Sequence, residues 1–160
     1  MKQSKVILPL MFLVISQTAM AQESGMTELT NHYYGIKNAL VADDGKTASE
    51  QAVLFLKSVD AITGLNESQE EAWAEHKSKL ISTGEAMSNS TDVNTQRKQL
   101  NEMSVALFAV LKAFGTNGSA VYYQYCPMKK AYWLSSEEKI RNPYYGKKML
   151  TCGSVEETLK

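Results

Sequence analysis

The chain has 160 residues, enough for one domain with a sizeable core, and its 17 basic and 17 acidic side chains cancel. That balance argues against nucleic acid or an anionic membrane as partner, because both demand a clustered basic surface. The basic pairs Lys129-Lys130 and Lys147-Lys148 read as solvated loops.

Residues 1–21 have the form of a secretory signal peptide. Lys2 and Lys5 precede an apolar run from Val6 to Ile15, and Ala19-Met20-Ala21 fits a small-x-small cleavage site. The run is too short to cross a bilayer, which takes roughly 20 apolar residues. No cysteine at the cleavage site offers a lipid attachment point. The expectation is an exported product, periplasmic or secreted, with no membrane insertion after cleavage. It comprises residues 22–160 as a single domain. Loss of the two leader lysines leaves 15 basic against 17 acidic residues.

Four helices follow from apolar periodicity. The first spans about Met26 to Val41, with Leu29, Tyr33, Ile36 and Leu40 on one face and Asp43-Asp44-Gly45 ending it. Thr47, with Glu50 three residues on, reads as the capping box of the second, which points Ala52, Leu56 and Val59 inward and stops at Gly64. Asn66 caps the third, whose core positions are Trp73, Leu80 and Met87. The fourth runs from about Asp92 to Phe114 with Leu100, Met103, Leu107, Val110 or Leu111, and Phe114 in a stripe, and Gly115 and Gly118 terminate it. Amphipathic helices joined by short loops pack as an up-and-down bundle, so the fold class expected is all-α.

The tail, residues 121–160, differs in composition. It holds six of the eight tyrosines, Trp133, both cysteines, and Pro127 and Pro143. Val121 to Tyr125 has the residue types of a short strand, but the turn signals at Asn142-Pro143 and Gly146 make the expected tail mostly irregular, packed on the bundle. Its aromatic residues read as anchors rather than as the floor of a sugar groove.

Candidate chemistry concentrates in four sulfurs: Cys126 and Met128 in Cys-Pro-Met, and Met149 and Cys152 in Met-Leu-Thr-Cys. Two thiolates with two thioethers form a soft ligand set suited to Cu(I) or Ag(I). Beside this stands a second reading. Two cysteines in an exported protein commonly form a disulfide, and Cys126–Cys152 would close a loop worth roughly 3–4 kcal/mol in the chain-entropy model. Met87 and Met103 lie on helical stripes and read as core. His32 and His76 have no histidine partner at helical spacing, no phosphate loop or nucleophile elbow occurs, and the acidic pairs look solvated. The sequence therefore reads as non-enzymatic.

The tail also carries a string of motifs: Cys126-Pro127-Met128, Ala131-Tyr132-Trp133-Leu134-Ser135, Ile140-Arg141-Asn142-Pro143-Tyr144-Tyr145-Gly146 and Met149-Leu150-Thr151-Cys152-Gly153. With Gln96-Arg97, Ser104 and Ala39 to Asp43 upstream, this resembles a bacterial domain-of-unknown-function family. That family occurs in exported proteins, alone or fused to periplasmic adaptors of CusB-like copper and silver efflux systems. One departure concerns the first loop. In the family a longer glycine-containing stretch usually separates the first two tail motifs, whereas only Lys129-Lys130 intervenes here. The resemblance implies heavy-metal handling, with an efflux adaptor or another envelope protein as partner. It also marks Tyr132, Trp133, Asn142, Pro143, Tyr144 and Gly146 as tail anchors.

Overall fold

The computed structural model of the chain describes residues 14–160, with side chains from residue 25 onward. Of the leader expected over residues 1–21, positions 1–13 lie outside the described residues. Helix α1 spans Val14–Val41, α2 Gly45–Ala61, α3 Glu67–Ser88 and α4 Val93–Phe114. The stripes place these helices because each is an apolar face that must be buried. Leu29, Tyr33, Ile36 and Leu40 of α1, Leu80 and Met87 of α3, and Leu100, Met103, Leu107 and Val110 of α4 are all withdrawn from solvent. No helix among the described residues is long and apolar enough to cross a membrane.

The caps follow the sequence with one correction. Asn66 and Gln69 form a reciprocal capping box on α3, and the Asp92 carboxylate accepts from the Thr95 N–H at 2.9 Å to open α4. At α2 the cap is Asp44, not Thr47. Asp43 takes a left-handed conformation (φ 61°), turning the chain so sharply after α1 that α2 starts three residues early. Thr47 then lies inside the helix and donates both its N–H and its hydroxyl to Asp44. The inward face of α2 shifts accordingly: Phe55 is fully buried, and Leu56 is only half-buried.

The tail departs from the all-α expectation. Val121–Cys126 (β1), Ala131–Ser135 (β2) and Ser154–Leu159 (β3) form an antiparallel sheet in the order β2-β1-β3. Cys126 pairs with Ala131 across the β1–β2 turn, and Tyr125 pairs with Ser154 on the other side. The sequence reading placed a strand only at Val121 to Tyr125, so both β2 and β3 escaped it; β3 is a solvent-facing edge strand. Its Ser-Val-Glu-Glu-Thr-Leu segment is mostly exposed, so no apolar alternation marks it.

The sheet is not appended to a closed bundle. Consecutive helices pack against each other, but α1 and α4 barely touch, and β2 lies in the seam between them. Trp133 and Leu134 of β2 are fully buried in the same apolar cluster as the helical stripes. Polar contacts fix the strand there. The Tyr33 hydroxyl accepts from the Leu134 N–H at 2.9 Å and lies 2.6 Å from the Ser104 hydroxyl, while Asn101 accepts from the Tyr132 N–H at 2.8 Å. A stack of Phe108, Tyr123 and Tyr132, with centroids 4.0 and 4.6 Å apart, adds an aromatic tie between α4 and the sheet.

Arg97 of α4 makes the second junction. Its Nε donates to the Pro143 carbonyl at 2.6 Å, and one terminal nitrogen donates to the Leu40 carbonyl at 2.8 Å and to the Asp43 carboxylate at 2.7 Å. Gly146, at φ 52°, sits so close that a β-carbon there would fall 2.7 Å from Asp43 and 2.8 Å from Arg97. One guanidinium thus joins the end of α1, the start of α4 and the tail loop. We expect Arg97→Ala to cost about 3 kcal/mol, because it removes charge-assisted hydrogen bonds from two backbone carbonyls and a carboxylate at once. Lys112→Ala, which breaks an exposed pair with Glu157, should cost under about 1 kcal/mol. Urea-denaturation midpoints of the two variants check the contrast.

Lys37 of α1 is 98% removed from solvent beneath the loop that carries Glu137 and Arg141. Burial lowers its pKa to about 8, the Glu137 charge opposing that fall and the Arg141 charge adding to it. A base whose folded pKa is depressed costs stability below that value and ceases to cost it above the unfolded value of 10.5. Lys37→Met should therefore stabilise the fold at pH 7, by about 1–4 kcal/mol. The gain should fade between pH 8 and 10.5 in thermal melts run across that range.

Candidate metal centre

Two loops carry the four sulfurs. The first is the Pro127–Lys130 turn between β1 and β2, completed by Lys130 at φ 53°. The second is the turn from Met149 to Cys152 ahead of β3, closed by the Cys152 N–H on the Met149 carbonyl at 3.2 Å. Asn142, fully buried, holds this second turn in place. Its backbone N–H donates to the Leu150 carbonyl at 2.8 Å, its side-chain amide donates to the Cys152 carbonyl at 2.7 Å, and its side-chain oxygen accepts from the Tyr144 N–H at 2.8 Å. Gly153 completes the approach. Its φ of 149° and the 2.7 Å that a β-carbon would have to both the Tyr125 carbonyl and the Trp133 ring leave room for nothing larger.

The result brings the two cysteines together. Cys126 is fully buried and Cys152 half-buried, both as thiols, and they meet within hydrogen-bonding reach. The Met128 backbone N–H points at the Cys152 sulfur. Loss of water raises the Cys152 pKa above its ordinary value, the neighbouring Cys126 raises it further, and the Met128 N–H partly opposes both. Tyr144 packs edge-on to Trp133 at 6.1 Å, and its hydroxyl donates to the Tyr132 carbonyl.

The methionines are placed differently. Met128 is 64% exposed and Met149 38% exposed, so neither is packed away with the buried Cys126. Met26, Met87 and Met103 are core. Among the described residues no three of His, Cys, Asp and Glu converge, so a metal ion at the thiol pair would draw any further side-chain ligand from the thioethers. His32 lies 3.3 Å from the Gln51 side-chain oxygen, and His76 pairs loosely with Glu75 at 3.9 Å.

A model for a family described as a protein of unknown function, DUF3347, matches residues 29–119. The chain belongs to this family. The match ends just before β1, so it takes in all of α2 to α4 and the C-terminal part of α1 but leaves the sulfur-bearing tail outside. No curated protein and no solved structure matches the chain.

Sequence reading missed a basic groove of about 510 Å³ beside the sulfurs, lined by Arg97, Lys129, Lys148, Tyr144 and Tyr145, with Asp43 tied to Arg97. The signal was present as a mirrored pattern. Met128 is followed by Lys129-Lys130, and Met149 is preceded by Lys147-Lys148, and folding brings one lysine of each pair, Lys129 and Lys148, into the same groove.

The geometry yields a labelling order. Cys152 should react with iodoacetamide well before Cys126, which is fully buried. The pH midpoint of its labelling should lie above the ordinary thiol value of 9.0 and should fall in Cys126→Ala, which removes the adjacent thiol. Mass spectrometry of peptides from a timed alkylation series reads both.

Proposed function

We propose that this protein binds Cu(I) or Ag(I) through Cys126 and Cys152, with Met128 and Met149 as exchangeable ligands, and passes the ion to a partner in the cell envelope. The observation that carries this reading is the company the thiol pair keeps. A methionine that merely fills space belongs in the core, as Met26, Met87 and Met103 do, yet the two beside the cysteines are exposed. An exposed thioether next to a dithiol is well placed to complete a soft-metal site.

Charge supports the same reading. Two thiolates on a monovalent ion carry one net negative charge, and Lys129 and Lys148 line the groove beside the pair. Thioethers bind without losing a proton, whereas each thiol must release one, so affinity should rise with pH while the thiols titrate. Transfer would then proceed by ligand exchange: an incoming sulfur replaces an exposed methionine first, and the buried cysteines let go last. The tail signature, through its likeness to exported proteins fused to CusB-like adaptors, points to an efflux adaptor as receiver.

A second reading rests on the thiol contact itself. Oxidation by a disulfide-exchanging partner would join Cys126 to Cys152 and staple the tail, leaving a protein-interaction domain with no metal. Replacing both Met128 and Met149 by leucine separates the two readings. The change conserves most of the volume at exposed positions, so stability should move by less than about 1.5 kcal/mol. Under mild reduction, Cu(I) affinity measured by competition with a chromogenic chelator should fall by more than the roughly 10- to 100-fold that loss of an outer-shell partner costs. Unchanged affinity in the double variant would sink the four-sulfur site. An intact mass lighter by two hydrogens, with no uptake of copper, would establish the disulfide module instead.

A further inference from the structure

Three cations line the groove beside the sulfurs, Arg97, Lys129 and Lys148, and two of them are free to meet a ligand. Arg97 is spent inside the fold, on the Pro143 and Leu40 carbonyls and the Asp43 carboxylate. Asp43, the acidic residue of the lining, is spent as well. It accepts from Arg97 and from the Lys147 backbone N–H, which hold it below the usual carboxylate range. Lys129 and Lys148 are exposed, and among the described residues neither has an acidic partner. The whole chain has no excess of positive charge, with 17 basic and 17 acidic side chains, so these two ammonium groups are a local concentration of uncompensated charge.

The lining also defines the chemistry of the occupant. An arginine fork suits a phosphate because its parallel N–H groups hold two oxygens at once, and here that fork is already engaged. What remains are two point charges on separate turns, Lys129 between β1 and β2 and Lys148 just ahead of Met149. Charges placed apart in this way match carboxylates spaced along a chain better than one compact anion. Size agrees, since about 510 Å³ is far above the roughly 30 Å³ share of a water molecule and falls among sites for ligands of many atoms. Val93 and Tyr145, both half-buried, add apolar wall against which side-chain stems can lie. The groove also abuts the thiols: Lys129 follows Met128, whose N–H meets the Cys152 sulfur, and Lys148 precedes the turn that carries Cys152. From this geometry we infer that the groove docks an acidic segment of a partner protein, with two of its carboxylates on Lys129 and Lys148, and so holds that partner beside the thiol pair. The inference rests on the proposed metal transfer only for what the partner does there; the docking itself needs no metal.

The test is an amide NMR titration of the full mature chain, reduced and metal-free, so that failure to dock and failure to bind copper are separate results. The probe is a short capped peptide of alternating glutamate and glycine, with the lysine–glycine peptide and inorganic phosphate as comparisons. The glutamate peptide should shift resonances of residues 128–130 and 144–148 saturably, and less strongly as salt is raised. The lysine peptide should not bind, and phosphate added at constant ionic strength should not displace the glutamate peptide. Lys129→Gln combined with Lys148→Gln should weaken binding about tenfold, since one exposed charge pair contributes up to about fivefold. Lys57→Gln, at an exposed position of α2, should leave it unchanged. Three outcomes overturn the inference: no saturable binding of the glutamate peptide; an equal loss in Lys57→Gln, which would reduce the effect to net charge; or displacement by phosphate, which would assign the groove to a phosphate group. Docking by a chain that takes up no copper would support the interface and remove ion exchange as its purpose.

Discussion

The Arg97 guanidinium is the contact on which the relation of helices to tail depends. It reaches across the fold to two carbonyls and one carboxylate that lie 46 to 57 residues away in the chain. A charged donor in the folded interior is costly unless its hydrogen bonds are made, and these are made to groups that otherwise lie open at a helix end and a loop. Because the Leu40 carbonyl and the Asp43 carboxylate belong to the end of α1, the turn into α2 is fixed by the same group that fixes the tail loop. Asp43 is correspondingly held below the usual carboxylate range, chiefly by its hydrogen bond to Arg97.

From that anchor the tail acquires its shape. The loop that Arg97 grips at Pro143 begins with Asn142, and Asn142 in turn holds the Met149–Cys152 turn at both Leu150 and Cys152. Gly153 then lets the chain drop onto β1, so that Cys152 arrives at Cys126. The meeting of the thiols is therefore the far end of a chain of hydrogen bonds that starts in the helices. It also explains why β2 can close the seam between α1 and α4: the strand is held from outside by this loop and from inside by Tyr33 and Asn101.

Much of this was legible in the sequence, and what was not has a physical cause. Helical stripes and three of the caps follow from local periodicity and local hydrogen bonding, which a sequence displays directly. The start of α2 was misplaced because it turns on a left-handed Asp43, and no pattern in Asp-Asp-Gly says which of the three residues takes that conformation. β3 was invisible because edge strands shed apolar alternation. A meeting of Cys126 and Cys152 was suggested by the tail motifs, but the way they meet depends on Asn142 and Gly153, whose partners are distant.

Under the proposed copper-binding reading, the different exposure of cysteines and methionines would suit transfer better than storage. Were all four sulfurs buried, release of an ion would require opening the Asn142 and Gly153 contacts and so loosening the tail. Were all four exposed, nothing would hold the ion against competing thiols in solvent. In the proposed role, a thiol pair flanked in sequence by two exposed methionines would divide the tasks: the cysteines would set how tightly the ion is held, and the methionines how readily another sulfur reaches it. The flanking lysines add to this division, because positive charge beside a bis-thiolate complex favours its formation without occupying a coordination position. A disulfide in the same place would use the two cysteines and leave the exposed Met128 and Met149 without a part in it.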